Sequence, residues 1–136
     1  MKNFYKSLTI AAITATASLF VIGVQAKPYP DRPGICYFFK GNSLETTQTC
    51  VISTGYGAGA QYVILNWVDG VKTRILNNTY PEAEIITTVD GEVAQDYARD
   101  TSWYRVVKNP GSRDDIMFCQ RILSNQNSVC YKFTDK

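Results

Sequence analysis

Histidine is absent from this 136-residue chain. Without an imidazole there is no Ser-His-Asp or Cys-His arrangement, and no side chain whose ordinary pKa makes it a general base near pH 7. The four cysteines, Cys36, Cys50, Cys119 and Cys130, form no close C-x-x-C pair, and no histidine can complete a tetrahedral zinc site. The D-x-D-x-D-G spacing of a calcium loop is missing. The stretch Gly55-Tyr56-Gly57-Ala58-Gly59-Ala60 lacks the Lys-[Ser/Thr] of a phosphate loop and leads into a strand-like run rather than a helix. No catalytic residue, metal or cofactor is therefore expected. Carboxylate pairs exist at Asp96/Asp100, Asp114/Asp115 and Glu82/Glu84. Glycosidase chemistry needs two carboxyls about 5–10 Å apart with one pKa raised. Nothing in their spacing shows that, so a carboxylate-dependent envelope hydrolase stands only as an alternative.

What the N-terminus does carry is an export signal. Met1 to Lys6 hold two lysines and no acid, Ser7 to Val24 are mostly apolar, and Val24-Gln25-Ala26 is a small-x-small cleavage site. Residues 1–26 are expected to be a bacterial signal peptide cut after Ala26, leaving a periplasmic or secreted protein with no stable membrane anchor. Removing the leader's two lysines takes the 14 cations down to 12, equal to the 12 acidic residues. A domain of zero net charge lacks the cation excess that drives nucleic-acid binding.

In an exported chain an even cysteine count reads as disulfides. Pairing Cys36 with Cys50 and Cys119 with Cys130 closes two short loops, each contributing about 3 kcal/mol by loop entropy. Cys119 and Cys130 are symmetric about Ser124-Asn125-Gln126. Cys36 and Cys50 need a bulge or a longer loop, since a tight turn at Gly41-Asn42 would put Cys36 opposite Thr47.

Residues 27–34, with three prolines, read as an extended N-terminal arm. Residues 35–136 read as a single β domain. Short β-branched and aromatic runs recur at 35–40, 46–53, 62–68, 71–76, 84–89, 102–108, 116–123 and 128–133, with turn residues between. Residues 92–99 suit either a strand or a helical turn, and the preceding Asp90-Gly91 favours a strand. The expectation is all-β: a small, disulfide-stabilised antiparallel barrel or sandwich of about seven strands. The echo between C-Y-F-F at Cys36 and C-Y-K-F at Cys130 suggests paired edges that close the sheet.

Asp69-Gly70 between two apolar runs is the strongest hairpin signal in the chain. A two-residue turn there would set Trp67 opposite Lys72 and Leu65 opposite Arg74. Lys72 and Arg74 would then either cover Trp67 and Leu65 with their aliphatic stems or form a recognition surface with Trp67. The glycine-rich loop before it reads either as a plain connection or as a place where another backbone comes close, with Tyr56 and Tyr62 as anchors beside Gly57 and Gly59.

The residues Ala58-Gly59-Ala60-Gln61-Tyr62, then Trp67 and Gly70, resemble the Ser-Gly-x-x-Tyr…Trp-x-x-Gly pattern of bacterial periplasmic C-type lysozyme inhibitors. Ala58 stands where that pattern has serine, and Asp69 where it has lysine. The resemblance implies a small exported β-barrel whose loops enter an enzyme's cleft. The reading that follows is an exported, non-enzymatic binding module for a protein or cell-envelope component, using Tyr56, Gly57, Gly59, Tyr62, Trp67, Lys72 and Arg74. Inhibition of a secreted hydrolase such as lysozyme, and a purely structural secreted protein, are the alternatives. The oligomeric state is open.

Overall fold

Alternation of burial along the chain sets the architecture. Over most of Ser43–Gly57 exposed residues alternate with shielded ones, as a strand with one face on a core and one in water requires. A computed structural model describes residues 27–57, 59–78 and 86–135; the expected signal peptide and the start of the expected strand at Glu84 lie outside them. Among the described residues there are nine strands and no helix long and apolar enough to cross a membrane. The strands are β1 (Lys27–Pro28), β2 (Arg32–Lys40), β3 (Ser43–Gly57), β4 (Ala60–Trp67), β5 (Lys72–Asn78), β6 (Ile86–Val89), β7 (Glu92–Asp100), β8 (Ile116–Ile122) and β9 (Ser128–Phe133). All pairings are antiparallel. The all-β fold is as expected, with nine strands in place of about seven.

From β2 to β9 the chain is a meander, each strand pairing with the next. Strand β9 returns to β2, while the long β3 pairs with β2 on one side and β4 on the other, so eight strands close into a barrel. Among the described residues, closure gives each of these eight strands a partner on both sides. The seam joins the two C-Y-x-F stretches, with Cys36 opposite Tyr131 and Tyr37 opposite Cys130. Strand β1 adds to β3 at Gly55 and Tyr56. The proline-rich arm is thus partly in the sheet. Pro33 is tolerated at the start of β2, where its carbonyl accepts a hydrogen bond from the Thr134 N–H.

Both disulfides pair as expected. Cys119 sits directly opposite Cys130, with Cα atoms 4.1 Å apart, the close spacing of a non-hydrogen-bonded pair. Cys36 lies opposite Gln48 and reaches diagonally to Cys50, Cα–Cα 5.9 Å. A register shift between Phe38 and Phe39 supplies the bulge that this bridge needs.

The sheet separates two apolar clusters. Inside the barrel, Cys36, Ile52, Leu65, Ile75, Val89 and Val129 pack together. The second cluster uses side chains of opposite parity on β2, β8 and β9: Tyr37, Phe39, Met117, Cys119 and Cys130. It lies outside the barrel wall, and Tyr104 packs on it, with ring centroids 6.2 Å from Tyr37 and 6.0 Å from Phe39.

That cover explains a failed expectation. Residues 102–108 alternate like a strand but do not form one; a single bridge, Arg99 to Val106, is all the pairing there. Asp100 Oδ1 accepts from the Trp103 N–H, Tyr104 takes φ 59°, and Asp100 N donates to the Arg105 carbonyl. The segment coils so that Tyr104 faces the outer cluster while Trp103 is left 73% exposed. Residues 92–99, by contrast, do form strand β7, after a two-residue turn with Asp90 at φ 50° and Gly91 at φ 86°.

Most of the glycine-rich stretch is strand rather than loop. Strand β3 continues to Gly57, which pairs with Ala60, and Gly59 turns the chain at φ 76°. Gly55 lies opposite Tyr62, whose ring and hydroxyl occupy the space that a Cβ at 55 would fill. Glycine is thus needed at 55 for close packing and at 59 for the backbone.

Candidate functional site: the mouth at the turn end of the barrel

A meander puts every second connection at the same end. The turns Gly41-Asn42, Val68–Gly70, Asp90-Gly91 and 123–127 therefore gather at one mouth, which we call the turn end. Its wall depends on the β4–β5 hairpin. Here the turn has three residues, not two: Trp67 N donates to the Val71 carbonyl, Gly70 N donates to the Trp67 carbonyl, and Gly70 takes φ 89°. Asp69 Oδ1 accepts from the Val71 N–H at 3.0 Å and so holds the turn.

One extra turn residue shifts every pair below it. Leu65 faces Thr73, Ile64 faces Arg74 and Asn66 faces Lys72. This register buries Leu65 and Ile75 on the same side of the sheet, which the expected register could not do. Trp67 joins them, and its indole N–H donates to Thr73 Oγ1 at 2.9 Å. Lys72 and Arg74 go to the outer face. The expected surface made jointly by Trp67, Lys72 and Arg74 is therefore corrected: the indole and the two cations lie on opposite sides of the barrel wall. Tyr56 and Tyr62 are divided in the same way, Tyr56 on the inner face at the far mouth and Tyr62 on the outer face over Gly55. Gly57 and Gly59 stay together at the tip of the β3–β4 hairpin.

At the turn end the barrel core stops short of the rim. A cavity of about 330 Å³ opens there, walled by Phe38, Trp67, Val71, Val89, Ile122 and Val129, with Thr46, Gln48, Thr73, Asp69 and Asp90 as its polar members. Two strand-borne aromatic rings and four aliphatic residues give it an apolar floor. Asp90 is fixed like Asp69: its Oδ1 accepts from the Arg74 N–H at 2.9 Å, and its own N–H donates to the Arg74 carbonyl. Gln48 Oε1 is buried without a hydrogen-bond donor among the described residues. Of these residues, Trp67 was singled out by sequence. Phe38, Gln48 and Asp90 were missed, although the two-turn spacing of a meander already places both Asp-Gly turns at one end.

Other polar groups are committed elsewhere. On the inner face of the wall, away from that mouth, the exposed Asp96 has Oδ2 2.8 Å from Thr87 Oγ1, which in turn lies 2.6 Å from Asn77 Oδ1, and Asp96 Oδ1 accepts from Gln120 Nε2 at 3.1 Å. Tyr131 nearby has its phenol pushed up to about 12, first by burial and then by the charge of Asp96. Asp115 and Asp135 pair with Arg113 and Arg32, and each carboxyl is held below its usual range by hydrogen bonding to its arginine. A second cleft of about 920 Å³ runs past Tyr37, Thr101, Asp114, Lys132 and Asp135. Its Asp135 is already paired with Arg32. Among the described residues no three potential metal-ligating side chains cluster. No family model, curated protein or solved structure matches this chain.

Proposed function

We propose that this protein is an exported, non-enzymatic binding module that takes a component of the cell envelope into the turn-end mouth of its barrel. The observation that carries this reading is the cavity beside Trp67. An eight-stranded barrel has room for its own side chains or for one small ligand, and here about 330 Å³ is left open against two aromatic rings. That volume is at the low end of the ~300–1,000 Å³ range of ligand sites. Two disulfides suit an oxidising compartment, which supports export.

Two measurements test it. N-terminal sequencing of material from the periplasm or medium should begin at Lys27. Native mass spectrometry of that material should show a bound small molecule that is lost in Val71→Trp, where an added ring at the exposed rim blocks entry. Retention of the adduct by the blocked variant would remove the mouth from the argument. A lysozyme-inhibition assay separates this reading from the inhibitor alternative.

A further inference from the structure

We infer that the mouth selects a small organic cation, namely a hydrophobic amine whose ammonium meets Asp69 and Asp90 at the rim while its apolar body lies on Trp67 and Phe38. This rests on the turn-end mouth being the binding site and names the ligand class that the site would take.

The lining argues for a cation by what it offers and what it has already spent. Its two charged members, Asp69 and Asp90, are both acidic. Each uses Oδ1 on one backbone N–H, and among the described residues neither Oδ2 has a partner. Lys72 and Arg74 project from the other side of the wall, and Lys40, which ends β2 at the same rim, is exposed and outside the lining. The indole N–H is consumed by Thr73. Gln48 contributes a buried acceptor that lacks a donor, a state that costs free energy until a donor arrives. Besides the Gln48 amide N–H groups and the Thr46 hydroxyl, what remains available is carboxylate oxygens, an amide oxygen and the face of an indole. An ammonium group complements all three, since the ring's quadrupole attracts cations as well. A carboxylate-bearing ligand of the same shape meets like charge at the rim and finds no cation in the lining to offset it.

The test uses three probes of one shape: 2-phenylethylamine, 2-phenylethanol and phenylacetate. Trp103→Phe removes the other of the chain's two tryptophans, so emission reports Trp67 alone, and calorimetry gives the affinities. The amine is expected to bind saturably, about tenfold more tightly than the alcohol, with phenylacetate weakest. The double variant Asp69→Asn/Asp90→Asn keeps an oxygen acceptor for both turns and should erase the amine's advantage over the alcohol. Equal binding of amine and alcohol, or tighter binding of phenylacetate, overturns the cation assignment while the mouth remains a binding site. An amine advantage that survives the double variant also overturns it. If none of the three binds saturably, and Val71→Trp changes nothing, both this inference and the proposed mouth fall together.

Discussion

Arg99 offers the sharpest test of how the barrel holds its outer segment. Its side chain carries a full charge at 3% exposure, with no carboxylate in salt-bridge reach among the described residues. Instead Nε donates to the Tyr97 hydroxyl at 3.0 Å, Nη1 to the Tyr104 carbonyl at 2.8 Å and Nη2 to Asn42 Oδ1 at 3.2 Å. The guanidinium also stacks over Phe39 at 4.4 Å and lies 5.2 Å from the Tyr97 ring centre. Replacement by methionine keeps much of the volume and removes the donors. Tyr97 retains its bond to Ser128, and the exposed Asn42 can return to water. The cost is then one stranded main-chain acceptor at Tyr104, about 1–3 kcal/mol, plus a desolvated cation–π contact of about 2 kcal/mol. Relief from burying a charge offsets part of this. A net loss of about 2 kcal/mol is expected for Arg99→Met, or roughly 8 °C in Tm at ~4 °C per kcal/mol. Arg99→Lys should do no better, because the planar fork that reaches three acceptors is lost while the charge stays buried. Scanning calorimetry gives the Tm, and limited proteolysis should show new cutting between residues 101 and 115. A Met variant within about 0.5 kcal/mol of the parent, or full rescue by Lys, would refute the reasoning.

Gly55→Ala places a methyl where the Tyr62 ring lies and should cost about 1–3 kcal/mol by overpacking; Tyr62→Ala in the same chain should recover much of it, and urea midpoints for the four members of the cycle decide. Loss of the Cys119–Cys130 bridge in a double Cys→Ala variant should cost about 3 kcal/mol, read as a Tm drop that the parent shows only under reduction. Alkaline stability follows from Tyr131: its phenol ionises near 10 when unfolded but is pushed up to about 12 in the fold. The folded state therefore keeps a proton that the unfolded state has released. Stability should fall with rising pH across that window, by about 1.4 kcal/mol per pH unit from this group. Tyr37, raised by burial and then by Tyr104, adds to the same trend. Tyr131→Phe should flatten the fall; an unchanged slope of urea midpoint against pH would show that Tyr131 is not its source.

Strand periodicity and the Asp90-Gly91 turn carried through to β6 and β7 because local rules decide such hairpins. The two bridges were legible for the same reason, down to the bulge that Cys36 and Cys50 demanded. Trp67 lines the cavity beside residues that local pattern does not mark, Phe38, Gln48 and Asp90. Asp69-Gly70 satisfies a two-residue turn as well as a three-residue one with Gly70 alone at positive φ. The choice between them is made by Leu65 and Ile75, which gain burial only in the second. Residues 102–108 failed because Tyr104 has somewhere better to go than a sheet: a patch of Tyr37 and Phe39 that exists only once the barrel has closed. Register and long-range cover are tertiary properties, and both escaped local pattern.

The pairing of β2 with β9 means that the cylinder is zipped between its earliest long segment and its latest. Until Ser128–Phe133 arrives, β2 shows a row of unsatisfied peptide groups to whatever is near, and a neighbour's final strand fits there as well as its own. Contacts of such large sequence separation slow folding, and crowded refolding should yield exchanged dimers joined across that joint. The local β8–β9 hairpin, already stapled, is the piece such dimers would trade.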